Sequence, residues 1–321
     1  MLSVVVPVYG CVGCLDDLHR RLTTTLESLG QEYELLFVED RGEDGSWEKL
    51  CELSRSDRRV KAFRLSRNFG QHAAITAGLS KAAGRWIVVM DCDLQDPPEE
   101  IPRLFAKAME GYDIVLARRL RTGGTPWPRR VLSRGYFVLV RLLTGADING
   151  EYGSFSLISE KVADAFMRFR DHNRHYLLIL YWLGFERTSI EYSLARRARG
   201  RSSYSFGRLL RHAVEGVFFT TTVLLRWVVY FGFVVSFCGA GAAVYLVVAR
   251  ASGHAYPGWT SLFVLVVVLG GVIIASTGVI GLYVGQVFDE ARDRPLFVID
   301  RESSDGERSR DAELESSARS S

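Results

Sequence analysis

The sequence predicts an α/β domain on a mostly parallel sheet, followed by a two-helix transmembrane hairpin. Three observations predict it. Short apolar runs alternate with helix-spaced stretches over residues 1 to about 120. Several of those runs end in acidic residues. Two long uncharged segments, 227–249 and 261–285, lie towards the C-terminus. The bulk figures agree, because 48% hydrophobic residues beside 24% charged ones, at a mean hydropathy of +0.06, suit a soluble part joined to a lipid-embedded part. A net charge of +3 is too small to argue for a nucleic-acid partner.

The elements follow in order. "LSVVVPVY" (2–9) reads as a strand, and Met1 leads into it with no basic n-region, so no signal peptide is expected. "LDDLHRRLTTTLESLG" (15–30) has helical spacing and a stopping Gly30. "YELLFVED" (33–40) is a second strand ending in acids, and "VKAFRLS" (60–66) is a third. "QHAAITAGLSKAAG" (71–84) is a helix. "IVVM" (87–90) is a buried strand that runs into Asp91-Cys92-Asp93 and is stopped by Pro97 and Pro98, which fix φ and lack an N–H. "YDIVLARR" (112–119) is a further strand. Such alternation gives a parallel sheet with helices on both faces, and ligands bind beyond the carboxyl ends of its strands. Glu39, Asp40, Asp91 and Asp93 all fall on that edge.

Five cysteines form no recognisable framework, and Cys11-x-x-Cys14 has no second pair to complete a zinc site. A reduced, cytosolic setting is the simplest expectation. Residues from about 128 to 144 are apolar with Arg129, Arg130, Arg134 and Arg141, which suits an interfacial helix with arginines at headgroup level; a buried helix is the alternative. Residues 196–211 carry six arginines just before the first apolar segment, a juxtamembrane basic cluster. The two apolar segments are each long enough to span a bilayer. The short connection between them makes a hairpin, and small residues such as Gly239, Gly271 and Gly278 would let its helices approach closely. Positive charge concentrates outside the hairpin loop, which puts both termini in the cytoplasm. The expected organisation is a catalytic domain over 1–205, a juxtamembrane amphipathic helix over 206–226, spans over 227–249 and 261–285, and a tail over 286–321, disordered from about 301.

Two carboxylates one residue apart at a strand end suit Mg²⁺ or Mn²⁺ bound to phosphates, since such ions keep several ligands from water and substrate. Such an ion stabilises charge that develops on a departing diphosphate. A structural alternative is that Asp91 and Asp93 only cap the next helix. A calcium loop is excluded by Pro97 and Pro98. No Gly-x-Gly-x-x-Gly follows the first strand and no Walker lysine loop exists, which weighs against dinucleotide and nucleoside-triphosphate sites.

The stretches "VVVPVYG", "FVED…DGSW", "LSRNFGQHAAITAGL", "GRWIVVMDCDLQDPPE" and "GYDIVLARR" resemble the family 2 glycosyltransferases of the GT-A (Rossmann-like) fold, and within them the polyprenyl-phosphate glycosyltransferases. "RARGRSSYSFGRLL" and "GVIGLYVGQVFDEARDRPLFVI" resemble the bacterial two-span branch. The resemblance covers roughly residues 2 to 300. It implies transfer of a sugar from a nucleotide sugar, UDP- favoured and GDP- second, to polyprenyl (undecaprenyl) phosphate with inversion, on the cytoplasmic face of the inner membrane. It further implies that Pro7, Tyr9, Glu39 and Asp40 line the nucleotide site, with Gly70 and Gln71 near the sugar nucleotide. Asp91 and Asp93 would be the metal motif, Gln95 and Asp96 would line the sugar and acceptor side, and Arg118, Arg130, Ser133 and Arg134 would hold the lipid phosphate. Membrane lipid is the expected surroundings, and a homo-oligomer is left open. Departures from the family pattern are Gly10 after Tyr9, and "GEYGSFSLIS" (150–159), where Ser156 takes the usual Arg place. Two other readings stand beside this one. A processive polysaccharide synthase is disfavoured because Val223 sits where its Gln-x-x-Arg-Trp motif needs Gln. A non-catalytic membrane scaffold is disfavoured by the intact Asp91 and Asp93.

Overall fold

The computed structural model describes residues 1–120, 152–169, 174–193, 259–292 and 294–303, with scattered positions between 228 and 252. The chain divides into two compact units. The first comprises Met1–Arg141, Ala146–Ser203 and Pro295–Ser321; the second comprises Leu142–Gly145 and Tyr204–Arg294.

In the first unit, β1 (Leu2–Val8), β2 (Tyr33–Glu39), β3 (Val60–Leu65) and β4 (Trp86–Val89) form a parallel block in the order β3-β2-β1-β4. Next to β4 the direction changes. β6 (Tyr152–Ser159) runs antiparallel between β4 and β5 (Ile114–Leu120), and β7 (Arg187–Ser193) lies parallel outside β5. On the opposite edge, β8 (Ile299–Glu302) pairs antiparallel with β3. The sheet is therefore mixed, with the expected parallel block at its centre.

Every residue of β1 and β2 is buried, because helices cover both faces. Side chains alternate between the two layers. Val4, Val6 and Val8 pack with Leu15, Leu18, Leu22 and Leu26 of α1 (Leu15–Ser28) and with Leu104 of α4 (Ile101–Met109). α2 (Ser46–Ser56) adds Leu50 and Leu53 to that layer. Val5 faces the other way, towards Ile75 of α3 (Gln71–Lys81), in a layer that α5 (Glu160–Met167) and α6 (Tyr176–Leu183) complete with Phe166 and Leu180. α3 comes so close to β1 that a Cβ at Gly78 would collide with Val5. That contact fixes the start of α3, and with it Gln71, over the carboxyl ends of the strands.

The C-terminal stretch departs from the expected tail. Within the expected tail, 286–321, residues 299–302 form the edge strand β8, and residues 304–321, where disorder is expected, lie outside the described residues. Ser66 N donates to Val298 O (2.9 Å), Ser303 N to Ala62 O (2.8 Å), and Ala62 N to Ser303 Oγ (3.1 Å). Lys81 pairs with Glu302 at 2.7 Å and Arg41 with Asp300 at 3.0 Å. Residues 1–205 alone therefore lack one strand of the sheet.

In the second unit, α7 (Trp259–Ala291) is a continuous helix of 33 residues that covers the whole second apolar segment. Leu262, Val266, Ile273, Ile280, Val284 and Val287 are exposed on it. Among the described residues no helix is long and apolar enough to cross a membrane. The sequence of α7 holds no charge from Trp259 to Phe288. The interfacial segment at 128–144 and the juxtamembrane helix at 206–226 lie outside the described residues; of the 227–249 segment 13 positions are described, and all of them are helical.

Ending the chain after Arg294 removes β8 and bares the β3 edge. The three hydrogen bonds named above, worth about 0.5–1.5 kcal/mol each, are lost together with the ladder pairing of β8 to β3. Thermal unfolding in detergent should shift down by about 5–10 °C. An unchanged midpoint would show that β8 contributes nothing to the domain.

Candidate active site

The site lies where the parallel register brings the loops after β1, β2 and β4 to one edge. Val8 stands opposite Glu39, and Met90 N, just past β4, donates to Val5 O (3.1 Å). The loops are cross-tied. Val12 N, after β1, donates to Asp44 Oδ2 after β2 at 2.9 Å. Asp40 is buried and accepts from Phe69 N (2.7 Å) and Gly70 N (2.8 Å). Glu39 is buried too, accepts from Gly42 N, and pairs with Arg64 at 2.9 Å. Burial pushes both carboxyls up from their ordinary range, against the hydrogen bonds that favour their charged forms. Both acids thus shape the loops around the site. Pro7 is buried within β1, and Tyr9 lies largely exposed beyond its end.

A disulfide joins Cys11 in the β1 loop to Cys92, between the two aspartates. This corrects the expectation of five cysteines without a framework. The reason is topological: β1 and β4 are neighbours in register, so residues 81 apart in sequence leave the sheet side by side.

Gly70 adopts φ +95° as the chain enters α3, a conformation that favours glycine, and it delivers Gln71 to the carboxylates. Gln71 Nε2 donates to Asp91 Oδ1 at 2.6 Å, and Ser154 Oγ of β6 donates to the same oxygen at 2.7 Å. Asp93 Oδ1 accepts from Gln95 N at 3.1 Å, and the turn between them puts Leu94 at φ +62°. Asp96 is wholly buried. Its Oδ1 accepts from Arg119 Nη2 (3.2 Å) and from the Tyr192 hydroxyl, while Oδ2 finds no hydrogen-bond partner among the described residues. Arg119 Nε also donates to Tyr192 Oη at 3.0 Å, and Nη2 lies 4.0 Å from Asp91 Oδ2.

Arg118, the arginine chosen from sequence, is on the other side of β5. It pairs with the exposed Glu191 at 3.3 Å, and Arg119 faces the carboxylates in its place. Successive strand residues point to opposite faces, so a choice one residue off reverses the assignment. Arg130, Ser133 and Arg134 lie outside the described residues. Arg119, Tyr192, Ser154, Asp44 and the Cys11–Cys92 pair were not picked out from sequence. Only Asp44 carried a local signal, as an acid two residues before a helix start.

The carboxylates suit a hard divalent cation. Burial, then the Asp96 charge, pushes the Asp91 carboxyl up, and Asp93 adds to the effect. Negative charge is in excess there, and a cation would relieve it. Two carboxylates leave positions for phosphate oxygens and water, as Mg²⁺ and Mn²⁺ require. Among the described residues no cluster of three or more His, Cys, Asp or Glu could hold a metal by protein ligands alone.

The family model for glycosyl transferase family 2 matches residues 3–166. The chain is 35% identical over 302 residues to the uncharacterized glycosyltransferase YkcC of Bacillus subtilis (strain 168), covering 93% of each chain. It is 33% identical over 299 residues to the uncharacterized glycosyltransferase sll0501 of Synechocystis sp., covering 93% of this chain and 94% of the relative. Among solved structures, glucosyl-3-phosphoglycerate synthase from Mycobacterium tuberculosis, in complex with Mn²⁺, UDP-glucose and phosphoglyceric acid, matches with a TM-score of 0.47 and 16% identity. That match covers 67% of this chain and 78% of the synthase.

The disulfide gives a direct check. Alkylation of the unfolded, unreduced protein followed by mass spectrometry should leave two of the five cysteines, Cys11 and Cys92, unmodified. Cys11→Ser with Cys92→Ser should lower stability by about 2–4 kcal/mol. Modification of all five thiols would contradict the pairing.

Proposed function

The chain belongs to glycosyl transferase family 2, and on that premise we propose that it transfers a sugar from a nucleotide sugar to polyprenyl phosphate. The observation that carries the acceptor side is Arg119, a half-buried cation held beside the Asp91 and Asp96 carboxylates. An arginine there suits a phosphate, which it binds through charge-assisted and bidentate hydrogen bonds.

The acceptor phosphate is itself the nucleophile. A phosphate monoester carries about −1.5 to −2 charge at neutral pH, so it attacks the anomeric carbon without giving a proton to the protein. The new C–O bond forms as the bond from that carbon to the diphosphate breaks, which inverts the anomeric centre. The nucleoside diphosphate leaves with both electrons of the broken bond. Asp91 and Asp93 would hold Mg²⁺ or Mn²⁺, which when bound supplies positive charge to the departing diphosphate. Gln71 and Ser154 orient Asp91 by donating to its Oδ1. Asp96 is engaged through Oδ1 with Arg119 and Tyr192 and lies too deep to serve as a general base.

A lipid acceptor also accounts for the two apolar segments, 227–249 and 261–285, which we read as a membrane hairpin with both chain ends on the cytoplasmic side. The apolar exposed side chains of α7 support that reading. A domain with its nucleotide edge at the membrane surface can take its donor from the cytosol and its acceptor from the bilayer.

Full-length protein in detergent, given a panel of labelled UDP- and GDP-sugars with undecaprenyl phosphate, should make an acid-labile, organic-soluble product from one donor. Transfer that proceeds equally without the lipid phosphate would overturn the acceptor assignment. Asp93→Asn should lower transfer by about 10²-fold or more while circular dichroism stays unchanged. Arg119→Lys, which keeps a cation against Asp96 but loses the planar fork, should raise acceptor KM or lower kcat by about tenfold, some 1.4 kcal/mol, with donor KM little altered. Arg118→Ala should change acceptor kinetics by less than about twofold, as expected for an exposed ion pair. The reverse ranking of the two arginines would place the acceptor on the other face of β5.

A further inference from the structure

Arg119 does not simply lie near the carboxylates; it is held there by three elements distant in sequence. From β7, the Tyr192 hydroxyl accepts from Nε at 3.0 Å and donates to Asp96 Oδ1. From the β4 loop, that same Oδ1 accepts from Nη2 at 3.2 Å. From β6, Gly153 makes room, since a Cβ there would stand 2.7 Å from Nη2 and 2.9 Å from Cζ. The Tyr192 ring is fixed in turn by Phe155, edge-on, with ring centroids 5.6 Å apart. Tyr192, Asp96 and Phe155 are each almost wholly buried.

A free arginine samples many rotamers, and its planar fork loses least when it is oriented beforehand. Here one hydrogen-bonded triangle fixes the guanidinium plane, and the absent side chain at 153 sets how deep it can sit. We propose that Tyr192 and Gly153 are positioning residues that hold Arg119 in the orientation that receives the acceptor's phosphate. The proposal rests on the reading of Arg119 as the acceptor-phosphate group. It assigns a purpose to two residues of the β6–β7 region, including the "GEYGSFSLIS" stretch whose sequence departs from the family pattern. Small residues there are what leave the arginine its place.

The test uses full-length protein in detergent and citronellyl phosphate, a short prenyl monophosphate, as the probe. Calorimetry measures its Kd, and the Kd of UDP with Mn²⁺ serves as the donor-side control. Tyr192→Phe removes one hydroxyl, and Gly153→Ala crowds the guanidinium without removing any polar group. Each should weaken citronellyl phosphate about tenfold, some 1.4 kcal/mol, and change the UDP affinity less than about twofold. Because both act through the Arg119 guanidinium, neither should weaken binding further in an Arg119→Lys background, which keeps a cation against Asp96. Losses that persist in that background overturn the proposal. So does binding within twofold of the parent in Gly153→Ala, the variant that answers if Tyr192→Phe fails to fold. If Arg119→Lys itself leaves citronellyl phosphate binding unchanged, the acceptor reading falls first and the positioning role falls with it.

Discussion

Asp96 has no exposed surface, and a carboxylate so placed must be met by a cation and by hydrogen bonds. Much of the site follows from that requirement. The counter-charge is Arg119, which fixes the inward face of β5. The remaining donor is the Tyr192 hydroxyl, which keeps β7 beside β5 in register, Arg119 opposite Tyr192. Asp96 follows Asp93 by three residues, so its anchoring also sets the turn that presents Asp91 and Asp93. On the far side the same turn is held by the Cys11–Cys92 bridge and by Gln71. The loop is thus fastened at both ends before any ligand arrives. That is the condition for electrostatic groups to act without reorganising during the reaction.

Two kinds of charge are thereby set side by side. On the proposed reading, Asp91 and Asp93 supply negative charge for a cation that accompanies the diphosphate, and Arg119, 4.0 Å from Asp91, supplies positive charge for a second anion. That reading makes donor and acceptor both phosphates, so a site for their reaction must bring two anionic groups towards one carbon. Alternating carboxylate, cation and guanidinium lowers the repulsion between them. The remaining acids at this edge, Glu39 and Asp40, are absorbed in tying loops together.

The central strands were legible because they are buried on both faces. "LSVVVPVY" and "YELLFVED" are nearly continuous apolar runs, and β1 and β2 fill them almost to the residue. The start of α3 at Gln71 and the placement of Asp91 beyond β4 were legible for the same reason. What the sequence hid depends on contacts between distant residues. β8 is short and polar, "IDRE", and carries no hydrophobic pattern; it becomes a strand only because the β3 edge accepts its backbone. The Cys11–Cys92 pairing needs the β1–β4 adjacency, which spacing alone does not encode. The exchange of Arg118 for Arg119 is a matter of strand phase, and a register irregularity between Leu116 and Arg118 makes that phase hard to count from the chain. Tyr192 lies in an amphipathic edge strand, and nothing local marks its hydroxyl as part of the site.

The central claim is that Asp91 and Asp93 take a divalent cation only together with the donor's diphosphate. Electron paramagnetic resonance of Mn²⁺ titrated into the full-length protein tests it most directly. The account predicts weak binding to the protein alone and one tight site when UDP is present. Asp93→Asn should abolish that tight site. Tight Mn²⁺ binding without UDP, or a site that survives Asp93→Asn, would contradict it.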